Sequence, residues 1–157
     1  MRHLFSVLLL LVTACSAIAP SDAASTAATP QCLVTPYATG TPPEPNTASF
    51  TSAWYGNGSL WAGLDRAYEG KWYAGAQGVK VLWYRSAEGL LTIEGTRLDA
   101  AAAPLAARIP EGYGLQGPQS TSIEFPTEGC WKVIGQADGQ VLEFIVQVHP
   151  QSENPVK

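Results

Sequence analysis

Residues Ile123 to Val148 read IEFPTEGCWKVIGQADGQVLEFIVQV, two apolar runs of strand length on either side of Asp138-Gly139. Asp-Gly between alternating apolar residues is the strongest short-range hairpin signal, because these residues tolerate the positive φ that a tight two-residue turn demands. In the second run Leu142, Phe144, Val146 and Val148 recur at every other position and share one face, while Glu143 and Gln147 point the other way. The first face is core. The segment therefore predicts the closing hairpin of a β-sandwich.

Upstream, short β-like runs follow turn signals at intervals of roughly a dozen residues. Ser59 to Leu64 follows Gly56-Asn57-Gly58, Val79 to Tyr84 follows Gly75-Ala76-Gln77-Gly78, and Leu90 to Ile93 follows Ala87-Glu88-Gly89. Thr121 to Phe125 alternates again, with Ile123 and Phe125 on one face. Ala100 to Ala107 invites a helix, but Pro104 would break it after one turn, so it reads as a loop. Gln31 to Thr35 reads as either a short edge strand or an extended arm, and the Pro-rich Thr41 to Asn46 after it as extended. No stretch carries apolar residues at helical spacing over any length, which predicts an all-β domain of about seven short strands.

Composition agrees with that class and excludes others. The chain of 157 residues is 46% hydrophobic but only 14% charged, with 15 Gly and 12 Pro, as in a turn-rich β protein. A net charge of −4 offers no basic field for a phosphate backbone, so nucleic acid is not an expected partner.

The first residues read as an address. Arg2 and His3 precede the apolar run Leu4 to Val12, which is too short to span a bilayer. The run ends in Leu11-Val12-Thr13-Ala14-Cys15, which resembles the lipobox of bacterial lipoproteins. That resemblance implies a signal peptide over residues 1–14, acylation of Cys15, and a protein held outside the cytoplasm on a bacterial cell membrane or outer membrane. Cleavage after Ala19 is the alternative, and it would leave a secreted protein. Residues 15–31 are mostly Ala, Ser, Thr and Pro, a composition that cannot offset its own ordering entropy and so predicts a flexible tether. The sandwich is then expected over residues 32–149 and a disordered tail over 150–157.

With Cys15 acylated, Cys32 and Cys130 remain, in a compartment where disulfides persist. Their pairing would staple the N-terminal arm to the corner of the closing hairpin. A loop of about a hundred residues would contribute roughly 4.7 kcal/mol in the chain-entropy model. The other reading makes Cys130 a small buried hydrophobe and Cys32 a free thiol.

The corner Phe125-Pro126-Thr127-Glu128-Gly129-Cys130-Trp131-Lys132-Val133 resembles the turn between the penultimate strands of bacterial immunoglobulin-like domains, where Gly-x-aromatic-x-Val opens the strand. Gly129, Trp131 and Val133 fill that pattern. The resemblance implies an immunoglobulin-like antiparallel β-sandwich. Trp131 stands where tyrosine is more usual, so its indole N–H needs a partner of its own. More broadly, Trp54-Tyr55-Gly56, Leu91 to Asp99, Gly112-Tyr113-Gly114 and Phe125 to Trp131 are similar to segments of uncharacterised exported bacterial lipoproteins. That likeness implies a shared fold and an envelope location, and brings no catalytic residues.

The residue inventory is poor in catalytic chemistry. His3 lies in the signal and His149 beside Pro150, so a Ser-His-acid or Cys-His arrangement cannot be assembled inside the domain. A metal or cofactor site is not expected either, since Met1 is the single methionine and the cysteines are far apart in sequence. Carboxylate pairs such as Asp65 with Glu69, or Asp99 with Glu111, read as solvated loop residues. Aromatic residues are the remaining handle. Trp83 reads as the core tryptophan, whereas Trp72, Tyr73 and Tyr113 fall in apparent loops where they could stack on a glycan or fill a pocket of an envelope protein. A tethered binding module then predicts an exposed apolar patch, and a structural accessory domain of an envelope assembly predicts aromatics buried in the core.

Overall fold

Alternating apolar residues, punctuated by Gly-rich turns, give the chain nine strands among the described residues: β1 (Trp54–Gly56), β2 (Leu60–Leu64), β3 (Trp72–Tyr73), β4 (Val79–Arg85), β5 (Thr92–Arg97), β6 (Ala106–Arg108), β7 (Gly117–Glu124), β8 (Gly129–Ala137) and β9 (Gln140–His149). The computed structural model describes residues 31–43, 49–51 and 53–156. The signal, Cys15 and nearly all of the tether lie outside the described residues. The strands form a five-stranded sheet, ordered β1-β2-β4-β7-β6, and a four-stranded sheet, ordered β3-β9-β8-β5. Every pair is antiparallel except β3 with β9.

The closing hairpin is as expected. Asp138 and Gly139 both have positive φ, 48° and 71°, and join β8 to β9 with no further loop residue. Leu142, Phe144, Val146 and Val148 are buried, and Glu143 and Gln147 are exposed. Facing them, Leu60, Val79, Val81, Trp83 and Ile123 of the five-stranded sheet complete the core. Trp83 packs in the core as expected, in the same cluster as Trp72 and Trp131. Its six-membered ring lies where a Cβ on Gly135 would stand, 2.2 Å away, so the opposite strand accepts the indole only because residue 135 lacks a side chain.

Three strands depart from the expected seven. β6 occupies part of the Ala100 to Ala107 segment that reads as a loop; it pairs with β7 from Ala106 to Arg108, after Pro104 has ended its constraint on the backbone. β1 pairs with β2 across Gly56-Asn57-Gly58-Ser59. β3 consists of Trp72 and Tyr73 alone, parallel to Val148 and His149. Gln31 to Thr35, in turn, is an extended arm, with the Thr35 N–H donating to the Ile145 carbonyl at 2.9 Å and the Ile145 N–H donating to Thr35 Oγ1 at 2.8 Å. The arm covers the edge of β9 that the two-residue β3 leaves open. Farther on it crosses the outer face of the five-stranded sheet, where Trp54, Trp61 and Leu82 pack with Ala38 and Phe50.

The corner supplies the partner that Trp131 requires: its indole N–H donates to the Thr127 carbonyl four residues upstream, at 3.0 Å. Beside it, Asp99 accepts from Arg97 Nε at 2.6 Å and from the Cys130 N–H at 3.1 Å. The Arg97 bond chiefly holds the Asp99 carboxyl below the usual carboxylate range. Cys32 and Cys130 stand at disulfide distance, with sulfurs 2.09 Å and Cα atoms 5.3 Å apart, closing a sequence separation of 98. The expected disordered tail is instead folded back through residue 156. Gln151–Glu153 form a 3-10 turn and Asn154 is buried, its Oδ1 accepting from the Val156 N–H.

Candidate functional site

The three candidate aromatics do not come together. Trp72 is 2% exposed and Tyr73 3%, because their short strand docks on the end of β9 and turns both rings into packed surroundings. Trp72 meets Phe125 edge-on at 5.9 Å between centroids and Phe144 at 5.8 Å, while Tyr73 lies 6.4 Å from Tyr68. The loop reading of Trp72 and Tyr73 is thus corrected: a parallel pairing with a strand some 75 residues later satisfies their backbone, which flanking glycines do not reveal. Tyr113 is 44% exposed on its loop, as the surrounding glycines suggest.

Two surfaces remain, at opposite ends of β9. The first is the end that carries the Asp138-Gly139 turn. There Leu90, Tyr113, Leu115 and Val141 project large apolar groups, Leu90 being 77% exposed. Their loops are bound together rather than loose. The Gly89 N–H donates to the Leu115 carbonyl at 2.9 Å, the Asn57 side chain donates to the Val141 carbonyl at 2.8 Å, and Gly89 abuts the Asp138 backbone. Beneath them sits Arg85, only 1% exposed, whose Nη1 donates to Gly89 O and Nη2 to Gly114 O, each at 2.6 Å. Neither partner is a carboxylate, and burial pulls the guanidinium pKa below its ordinary value. A desolvated cation between two carbonyl groups fixes both loops at once. Glu88, Glu111 and Asp138 are exposed on the same loops.

The second surface is a cleft of about 340 Å³ between the arm and the far end of β9. Tyr37 of the arm, Tyr55 of β1 and Trp72 of β3 form its aromatic wall, with Lys71, Gln147 and His149 around them. Tyr37 packs against Tyr55 with ring centroids 4.9 Å apart and tilted by 43°, and its hydroxyl donates to Gly70 O at 3.3 Å. Burial, and secondarily Tyr37, pushes the Tyr55 phenol well above the ordinary tyrosine value, so it stays a neutral donor. The Trp72 indole N–H makes no completed hydrogen bond, although it is near enough to the Tyr55 hydroxyl to favour the ionised phenol. It is a buried donor in want of an acceptor.

Signals for these residues were present in part. Val141 has the same strand parity as Glu143, so its exposure follows from period two. Arg85 likewise shares the parity of Val79, Val81 and Trp83, although its charge argues for exposure, whereas nothing local brings Tyr37 to Trp72, which depends on contacts between distant segments. Among the described residues no group of three or more His, Cys, Asp or Glu could hold a metal ion, and no helix is long and apolar enough to cross a membrane. The carboxylates considered above have structural tasks: Asp65 accepts from the Ala67 N–H at the start of a 3-10 turn, and Asp99 is engaged at the corner. No protein-family model, curated protein or solved structure matches this chain.

Proposed function

We propose that this chain is a lipid-anchored, extracytoplasmic binding module with an immunoglobulin-like sandwich, whose apolar end docks on a protein of the cell envelope. The observation that carries the reading is the set of exposed Leu90, Tyr113, Leu115 and Val141 on loops held in place by a buried arginine. A rigid apolar tip loses little conformational entropy on docking, which is what an interaction surface requires. The acidic Glu88, Glu111 and Asp138 around it disfavour an anionic lipid surface and match an apolar groove rimmed by Lys or Arg.

Strand order supports the immunoglobulin-like part of the reading. β2-β4-β7-β6 opposite β9-β8-β5 follows the A-B-E-D and G-F-C arrangement of the seven-strand constant-type sandwich, with β1 and β3 as additions. Trp131 takes the corner role of a tyrosine through its bond to Thr127 O. The anchor rests on the lipobox-like Leu11 to Cys15. The arm enters beside Ile145, toward the end of β9 that carries His149, so a membrane tether there leaves the apolar end directed outward. The reading is of a binder and not an enzyme, because His149, the one histidine among the described residues, is engaged with Tyr73 and Glu153.

The test is photo-crosslinking in the native cell from Leu90 and Leu115, with Lys132 on the outer face of the four-stranded sheet as control. The expected result is one recurrent protein adduct from the two leucine positions, absent from Lys132 and lost when Val141 is changed to Asp. Adducts that do not differ between the end and the control face would overturn the reading. The alternative, an accessory domain without a ligand site, is favoured by the burial of Trp72 and Tyr73 and predicts that second result.

A further inference from the structure

The cleft under the N-terminal arm opens at the edge of the core, away from the docking end, and its chemistry is specific. Val141 and His149 mark the two ends of β9, so at ~3.3 Å per residue the cleft lies roughly 25 Å from the apolar tip. We propose that it binds a pyranose bearing a carboxylate, that is, an acidic sugar unit of a glycan. This goes beyond the docking reading and does not depend on it.

Three features carry the inference. The first is shape: about 340 Å³ is the size of a small-ligand site, and Tyr37, half-exposed above the buried Tyr55 and Trp72, offers the aromatic surface on which the C–H face of one sugar ring packs. The second is hydrogen bonding. The Trp72 indole N–H is buried and lacks a completed partner, the Tyr55 phenol is held protonated, and Gln147 and the Tyr37 hydroxyl can exchange bonds with ring hydroxyls. The third is charge. Among the described residues no Asp or Glu lines the cleft of a protein whose net charge is −4, whereas Lys71 is exposed on its rim and forms no ion pair with them. Of the acids close by in the chain, Glu153 is turned to His149 at 3.6 Å, and Glu69, beside Gly70, is exposed and does not line the cleft. A donor-rich cleft with an uncommitted ammonium selects an anionic, acceptor-rich ligand over a neutral one.

The wall is built by the arm, and the arm is fastened at Cys32 to Cys130. Tyr37 is therefore positioned by the staple five residues before it. An intact disulfide pre-organises the cleft, and opening it frees one wall.

The experiment titrates the oxidised domain with D-glucuronate, D-galacturonate and N-acetylmuramate, with D-glucose, D-galactose, N-acetylglucosamine and acetate as controls, following the Trp72 indole N–H and the Lys71 and Gln147 amides by NMR. At least one acidic sugar is expected to shift the Trp72 indole signal saturably and to bind about ten-fold more tightly than its neutral parent. Lys71→Ala removes that preference while the sandwich core signals stay in place, and Tyr37→Ala weakens every sugar. Reduction, or Cys32→Ser with Cys130→Ser, weakens binding in the same way; should that variant unfold, the Lys71 and Tyr37 variants still decide. Acetate shifting the same signals as strongly as the sugars would reduce the site to an anion contact and overturn the sugar. No saturable shift at Trp72 with any of the three acids would overturn the site. Both results leave the crosslinks from the apolar end untouched, so failure here and failure there are distinct.

Discussion

At the scale of single residues, three polar groups buried or half-buried in an apolar fold hold its ends in register. Trp131 fills core space and also closes the corner through Thr127 O. Trp131→Phe keeps an aromatic ring but loses the N–H donor and leaves a small void, and should lower stability by about 1–3 kcal/mol in urea unfolding. Asp99 ties Arg97 to the Cys130 amide, and its folded pKa lies below the unfolded value because Arg97 favours the carboxylate. Its contribution is thus fully present above the unfolded pKa and disappears as pH falls through the folded one, so the acid limb of stability should flatten below about pH 5 in Asp99→Asn. Acid titrations of both forms check it. An unchanged acid limb would assign the low-pH loss to other carboxylates. Arg85 is the third. Arg85→Met should leave Gly89 O and Gly114 O unbridged, lower stability by about 1–3 kcal/mol, and speed hydrogen exchange at the Gly89 amide more than in β8 or β9.

At the scale of elements, what could be read from sequence was what local pattern controls. The β8–β9 hairpin was legible because period two and Asp138-Gly139 act within a few residues of each other. β3 was not: two residues cannot show a period, and their partners are Val148 and His149. β6 was hidden for a related reason, since Ala106 and Ala107 carry no alternation strong enough to outweigh Pro104, and only pairing with β7 extends them. The same division holds for the site. Tyr113 between two glycines was legible as exposed, whereas Trp72 was misplaced because its environment is assembled from β1, β7 and β9 flanks. Leu90 and Leu115 at one end, and Tyr37 and Lys71 at the other, carry ordinary surface or loop chemistry, and the two proposed surfaces exist only where the fold brings such residues together.

At the scale of the whole molecule, the disulfide connects the N-terminal arm, which forms one side of the cleft, to the corner. A closed loop with sequence separation 98 should contribute several kcal/mol, so reduction of the intact protein is expected to lower stability by about 2–5 kcal/mol and to free the arm before the sheets unfold. Loss of the Thr35 to Ile145 bonds ahead of β8–β9 exchange would report that order. The mass of the protein from its native membranes should correspond to a chain that begins at acylated Cys15, and should rise by two protons on reduction. A chain beginning at Pro20 would make it a secreted protein instead. The central claim is that the Arg85-braced end is the face that meets a partner. It is tested most directly by hydrogen exchange on the protein in native membranes against the purified protein. The account predicts added protection confined to residues 87–90 and 111–116, reversed by Val141→Asp. Protection spread evenly over both sheets, or none at those loops, would contradict it.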